Sequence, residues 1–482
     1  MREEYPLPLP ISRPAFRWLI PLAVGGALWL VPTPEGLTPN AWRYVALFAF
    51  VITGLVTEPL PGAAMGLIGV STAAALVLVG STPAESMRWA LSGFSNDVVW
   101  LIFSATTFAL GYEVTGLGRR MALLLVRALG RRTLGLGYGI ALADLVLAPF
   151  TPSNTARSAG TIFPVVRSIP PLYGSSPTEN PRAIGGFLCW TAFATTSVTS
   201  SMFLTGMAPN LLAAEMARTI VGLEIDWTTW MLGFLPVGIP LFLLTPLVTY
   251  VLYPPSIKQG GEVVEWAAGE LRAMGPLSRR EALMAVLAVA ALACWVAGSQ
   301  RIPAVTVALA VVSLMILTGV VSWADVLGHK PGWNVLVWFA TLVALADGLR
   351  QVGFLTWFAQ RSATALSGLP VAASAVAIVS VFFLIRYLFA SNAAHTTAAL
   401  PAFLAVLASV PGMPVKAVAL TLVYSIGLMG VLTPYATGPA PVWYGAGYVA
   451  GRDFWKLGFV MGALYLTAVL AIGLPTAMRF VR

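Results

Sequence analysis

Eleven stretches of this chain approach twenty residues in length and are strongly apolar with few charges: 16–32, 41–57, 62–80, 96–115, 184–204, 231–253, 282–298, 302–321, 333–349, 417–432 and 457–477. An α-helix of about 20 apolar residues matches the hydrocarbon thickness of a bilayer, so each reads as a transmembrane span. The bulk numbers agree: 58% of the 482 residues are hydrophobic and only 10% are charged. No soluble domain hides that much apolar surface, so lipid must be the solvent for most of it. The predicted fold class is an all-α polytopic membrane protein.

Two further apolar stretches, about 134–170 and 371–408, are broken in the middle by polar residues and read as re-entrant hairpins. In FTPSNTARSAG, residues 150–160, six of eleven positions are Ser, Thr, Asn or Arg. Irregular backbone at membrane depth is tolerated only where it is buried in protein or lines a watery cavity. Pro, Ser, Asn and Thr favour caps and turns over helix interior, so TPSNT should break the hairpin. A half-helix starting near Ala156 would then point its free N–H groups and positive dipole end at the break. Ser153, Asn154 and Thr155 add side-chain donors, and Ser391, Asn392, Thr396 and Thr397 repeat the design in the second hairpin. Two anion-seeking tips fit a ligand with two or more carboxylates, one end to each tip. The plain alternative is a loop capped by Ser and Thr.

A single offset relates the halves. NDVVW at 96–100 and NVLVW at 334–338 lie 238 positions apart, as do SNTA at 153–156 and SNAA at 391–394. Segment 116–133 holds Arg119, Arg120, Arg127, Arg131 and Arg132 and reads as an interfacial helix on the cytoplasmic face, whereas its counterpart 354–371 holds only Arg361. Two copies with such unequal positive charge suit opposite membrane faces, an inverted-topology repeat of the kind found in secondary transporters; divergence of surface charge without inversion is the alternative. The predicted organisation is N-terminal scaffold helices over 1–95, a first repeat over 96–253, a cytoplasmic linker over 254–281, further scaffold helices over 282–332 and a second repeat over 333–482.

The net charge of +9 is scattered along the chain and needs no nucleic acid to explain it. Cys189 and Cys294 both fall in apolar spans and imply no disulfide framework. The Pro-rich basic N-terminus enters an apolar run without an A-x-A site, so a retained first helix is expected rather than a signal peptide. The two histidines, His329 and His395, belong to no HExxH motif, and the chain has no GxSxG elbow and no phosphate loop, which argues against an intramembrane enzyme or an ATP-driven pump. An anion channel is harder to set aside, because inverted repeats with re-entrant hairpins also build pores.

The paired SNT-type hairpins, with the loops TGMAPN at 205–210 and TPYATGPAP at 433–441, resemble the divalent anion/sodium symporter family of carboxylate transporters over nearly the whole chain. The stretch TPSNTARSAGTIFPVVRSIPPLYGSSP, 151–177, is most similar to the branch of citrate/succinate and tartrate/succinate exchangers and 2-oxoglutarate/malate translocators. The resemblance implies a homodimer in the bacterial inner (cytoplasmic) membrane, with a scaffold part and a moving transport part working as an elevator. It implies di- or tricarboxylate ligands and no resident cofactor or metal. Carried over residue by residue, substrate contacts fall on Ser153, Asn154, Thr155, Ser391 and Asn392. The loops that frame sodium sites in the family fall on Gly206, Pro209 and Asn210, and on Thr437, Gly438 and Pro439.

The sequence departs from the symporter pattern at Ala393, where a threonine is expected, and at Arg157 and His395, each four residues after the serine of its motif. A guanidinium would repel a sodium ion from an oxygen-lined pocket. Arg157, and His395 when protonated, therefore read as built-in replacements for the two cations. A fixed charge also makes an empty carrier costly to move through the membrane, which favours obligatory exchange. Alternatives remain on the residues: Arg157 pairing with Asp144, His395 as a hydrogen-bonded core histidine, and sodium-driven symport through the intact oxygen-rich loops. Arg386 is expected to pair with Asp347 or line the cavity, Asp347 and Arg350 can pair at i, i+3, and Asp97 and Glu113 are expected at membrane interfaces.

Overall fold

The computed structural model describes residues 14–298, 301–366 and 370–481. The chain before Pro14, over which the signal-peptide reading was weighed, lies outside the described residues. Among the described residues every named element is a helix, and one isolated bridge pairs Arg132 with Gln259.

Among the described residues, eight helices are long and apolar enough to cross a membrane, including Pro39–Thr57, Trp227–Leu252, Arg279–Ala297 and Lys330–Gln351. The set differs from the expected eleven spans. Two of the eight, Thr133–Phe150 and Val371–Leu388, are the leading arms of the interrupted stretches, and Gly62–Ala75, Ala304–Leu317 and Val415–Val431 are shorter apolar helices. The stretch 62–80 stops early because Val77 takes a left-handed conformation, with φ at 49°. The stretch 184–204 forms Gly185–Met202, buried along its whole length, so its TTSVTSS run faces protein and not lipid.

Local chemistry sets the helix starts. The Asn96 side chain accepts from Val98 N at 2.9 Å ahead of Asp97–Thr115, and Ser278 with Glu281 forms a capping box ahead of Arg279–Ala297. Helix Trp227–Leu252 continues through Pro236, Pro240 and Pro246. The Thr245 and Thr249 hydroxyls turn back on the carbonyls four residues earlier, of Leu241 and Thr245.

The polar stretch 254–281 is docked against the first repeat. Its helix Glu262–Ala273 packs along the arginine-bearing helix Leu117–Leu129. Arg120 grips Glu281 at 2.6 Å and the carbonyl of Gly275 at 3.0 Å, and Arg119 reaches Glu270 at 2.6 Å. Thr133, at the base of the first hairpin, bonds the backbone of Ile257 and Lys258. The counterpart helix Phe354–Leu366 sits elsewhere, where Trp357 donates to the Glu35 carbonyl at 2.9 Å.

Candidate functional site

The first hairpin descends as Thr133–Leu147, tightens over Ala148–Phe150, breaks at 151–154 and returns as Thr155–Ile162 and Phe163–Arg167. The return arm thus starts one residue before the expected Ala156. It opens as a π-helix, a wide turn that recurs at functional sites and that no sequence pattern announced. Ser153 Oγ accepts from Ala156 N at 3.1 Å, and its carbonyl accepts from Arg157 N at 2.9 Å, so Ser153 caps the arm. Ser153 and Asn154 are half-buried and Thr155 is exposed at the tip.

The second hairpin descends as Val371–Leu384, tightens over Ile385–Leu388 and returns as Asn392–Ser409. Ser391 is half-buried, Asn392 is buried, and the Ser391 carbonyl accepts from His395 N at 3.0 Å.

Each hairpin is followed by a discontinuous helix whose break reaches a tip. The first runs Gly185–Met202, Leu204–Gly206 and Ala208–Val221. The second runs Val415–Leu428, Met429–Val431 and, after an irregular stretch, Ala440–Gly445. TGMAP at 205–209 and TGPAP at 437–441 match at four of five positions, a second internal repeat that frames both breaks. Pro152 O accepts from Ala208 N at 2.7 Å, which fixes the first tip to its own framing loop. Across the halves, Asn154 Nδ2 donates to Thr437 Oγ1 at 2.9 Å, and Asn392 Nδ2 approaches the same oxygen at 3.5 Å and Met207 Sδ at 3.4 Å. A Cβ on Gly438 would lie 1.9 Å from Thr155 Oγ1 and 3.2 Å from Thr155 Cβ, so the first tip closes tightly against this loop.

Arg157 is fully buried beneath the first tip. Its Nη1 donates to the carbonyls of Thr151 at 2.8 Å and Gly206 at 2.7 Å, its Nη2 to Ser200 Oγ at 2.9 Å and its Nε to Asp144 Oδ1 at 3.2 Å. The pairing with Asp144 left open by the sequence is therefore present. Thr199 donates to the other Asp144 oxygen. Four oxygens from the hairpin arm, the break, helix Gly185–Met202 and the framing loop thus surround one guanidinium. Asn210 braces the same loop through Nδ2, which bonds Ser200 O at 2.7 Å and Phe203 O at 3.0 Å.

His395 is also fully buried. Its Nε2 meets the Phe382 carbonyl at 3.2 Å while Nδ1 has no partner. A carbonyl only accepts, so Nε2 carries a proton. Thr396 and Thr397 do not face the opening: both are fully buried and turn back on their own helix, donating to Asn392 O and Ala393 O at 2.8 Å each. Threonine hydroxyls in apolar helices bond the carbonyl four residues earlier when no better acceptor is near. The expected Arg386–Asp347 pair is absent. Asp347 is held by Arg350 at 2.7 Å and Gln351 at 2.6 Å, while Arg386 Nη1 donates to the Ser391 carbonyl at 2.6 Å. Asp97 and Glu113 are both exposed.

Residues beyond the sequence-derived set also belong to this arrangement. Ser158 joins the tips' support, accepting from Trp443 Nε1 at 2.9 Å and from Thr196 Oγ1 at 2.8 Å. Ser200 and Met207 reach it as described. The duplicated TGxAP is a sequence signal that marks Met207 and Thr205, whose hydroxyl bonds Pro149 O at 2.5 Å. A cavity of about 720 Å³ lined by Asp97, Glu215, Arg218, Glu224 and Asp226 lies apart from the tips.

Residues 13–478 match the family described as the sodium:sulfate symporter transmembrane region. The chain belongs to this family. Among curated members, it is 46% identical over 477 residues to a citrate/succinate antiporter of Escherichia coli (strain K12), covering 95% of this chain and 97% of that protein. It is 45% identical over 472 residues to an L-tartrate/succinate antiporter of Shigella sonnei, with the same coverage of 95% and 97%. The solved structure of the YdaH transporter of Alcanivorax borkumensis aligns with 92% of this chain and 98% of its own at a TM-score of 0.53 and 17% identity, a likeness of fold. As a member of the symporter family, the chain is a multi-pass membrane protein, and its two hairpins and two broken helices are the parts on which a transport reading rests.

Proposed function

We propose that this protein is a secondary active transporter that exchanges di- or tricarboxylates across the bacterial inner membrane without sodium. The observation that carries the reading is the convergence of Asn154 and Asn392 on Thr437, which joins two polar tips into one candidate site. The names of the relatives, citrate/succinate and L-tartrate/succinate antiporters, supply the substrate class. Ser153, Asn154 and Thr155 from one tip, and Ser391 and Asn392 from the other, offer hydroxyl, amide and backbone donors suited to carboxylates. Thr396 and Thr397 support the second tip from within its helix.

The sodium-independent reading is supported by what occupies the oxygen pocket of the first hairpin. A sodium site is a cluster of carbonyl and hydroxyl oxygens, and the carbonyls of Thr151 and Gly206 with Ser200 Oγ make such a cluster. Arg157 already fills it; His395 stands at the matching offset of the second hairpin, where its ring meets one oxygen, the Phe382 carbonyl. The hairpins, their broken helices and the framing loops around Gly206, Pro209, Asn210, Thr437, Gly438 and Pro439 form the moving part of an inverted repeat. The helices before residue 96 and those over 282–332 form the scaffold and homodimer contact, and the carrier moves as an elevator.

Purified protein in liposomes tests this. Labelled succinate should enter vesicles loaded with succinate, tartrate or citrate and not empty ones, equally with sodium or choline outside. Uptake into empty vesicles that needs a sodium gradient would replace the reading with symport, and sodium-independent passage into empty vesicles would favour a channel.

A further inference from the structure

The two hairpins treat their arginines differently. Arg157 has its Nε, Nη1 and Nη2 bonded and a carboxylate beside it. Arg386 does not. It lies in the turn Ile385–Leu388 that ends the leading arm of the second hairpin, and its side chain is fully buried. Nη1 reaches Ser391 O, but Nε and Nη2 have no hydrogen-bond partner. Among the described residues no carboxylate pairs with it. Its titratable neighbours are His395 and Tyr435, and Tyr435 belongs to the TPYATGPAP framing loop and donates to the Tyr387 carbonyl at 3.1 Å.

A buried guanidinium with two idle donors and no counter-anion is expensive, and such a charge inside a membrane protein marks a place where an anion belongs. The Asp144–Arg157 pair is close to neutral as a unit, so the uncompensated arginine of the two tips is Arg386. It is one hydrogen bond from the tip, because the Ser391 carbonyl joins Arg386 Nη1 to the residue just before Asn392. In a medium that screens weakly, that charge acts on whatever sits at Ser391 and Asn392. We propose that Arg386 is the counter-charge for the carboxylate held at the second tip, positioned by the Ser391 carbonyl, and that it sets the preference for ligands with a second negative end. The proposal rests on the carboxylate-exchange reading above and refines it, since the sequence assigned this role to Arg157 and His395.

A clamp that merely holds the break through Ser391 is the competing role, and stability separates the two. Arg386→Met removes the charge and keeps the bulk. Arg386→Lys keeps a charge. Thermal unfolding and succinate binding would be measured on purified full-length protein. As a counter-charge, Arg386→Met leaves the ligand-free melting temperature unchanged or raised, weakens succinate binding at least ~10-fold, and loses most of the succinate-induced stabilisation. Arg386→Lys restores binding to within a few-fold. Wild-type affinity in Arg386→Met would overturn the proposal. So would a full succinate-induced stabilisation in Arg386→Met, whatever its ligand-free melting temperature, because the lost bond to the Ser391 carbonyl then accounts for any change. If the wild type itself responds to no succinate, tartrate or citrate, the carboxylate reading fails first and takes the proposal with it.

Discussion

Asn154 and Asn392, 238 positions apart in the sequence, turn their side-chain amides to one hydroxyl: Thr437 Oγ1 lies 2.9 Å from the first Nδ2 and 3.5 Å from the second. A hydroxyl offers two lone pairs, so one threonine holds both tips in register. Thr437→Val keeps the shape and removes the acceptor. Losing a partly buried hydrogen bond of this kind costs about 1–2 kcal/mol, so the KM for succinate exchange should rise roughly 5- to 30-fold with protein yield unchanged. An unchanged KM would show that the tips do not depend on Thr437.

The Asp144–Arg157 pair is a stability element whatever its part in transport. Asp144→Asn leaves Arg157 buried beside a neutral amide, a change expected to cost about 3–5 kcal/mol and to lower the melting temperature sharply. Pairing it with Arg157→Met should recover part of the loss, because no unpaired charge is left buried even though the Thr151 and Gly206 carbonyls lose their donor. Equal melting temperatures for single and double variants would refute the coupling.

Gly206 sits where a Cβ would lie 2.8 Å from the Ser200 carbonyl oxygen, which is backbone and cannot rotate away. Gly206→Ala should therefore displace the carbonyl that Arg157 holds. An overpacking cost of about 1–3 kcal/mol is expected, with exchange activity falling further than stability alone explains. Thermal unfolding together with exchange rates in liposomes checks both halves of this expectation.

On the polar face, Arg120 and Arg119 both bond helix Glu262–Ala273 or the turn after it but differ in burial: side-chain exposure is 11% for Arg120 and 57% for Arg119. Removing Arg119 should change stability by less than about 1 kcal/mol, as exposed ion pairs do. Arg120→Ala should loosen the docked segment, read out as faster limited proteolysis within 254–278 than in the wild type.

Much of this architecture was legible because lipid makes polarity conspicuous. Ser153, Asn154, Ser391 and Asn392 stand out only because apolar runs flank them, and the 238-residue offset follows from the same contrast. Partners across the fold were not legible. Arg386 and Asp347 looked like natural mates in sequence, yet Asp347 is taken by Arg350 on its own helix, where the i, i+3 spacing guarantees proximity. Thr396 and Thr397 read as donors to a ligand because composition does not say which way a hydroxyl turns. The docked helix Glu262–Ala273 carries Val263, Val264, Ala267 and Leu271 at helical spacing, and buried Val263 and Ala267 face its neighbour; high polarity around them obscured that pattern. The π-helical start at Thr155 has no sequence signature.

The most direct test of the central claim is a structure of the protein in a lipid nanodisc with succinate and without sodium. The account predicts one ligand bridging the tips, one carboxylate at Ser153–Asn154–Thr155 and the other at Ser391–Asn392, with Arg157 still seated on the Gly206 carbonyl. Succinate bound at one tip alone, or at a site that avoids both, would contradict it.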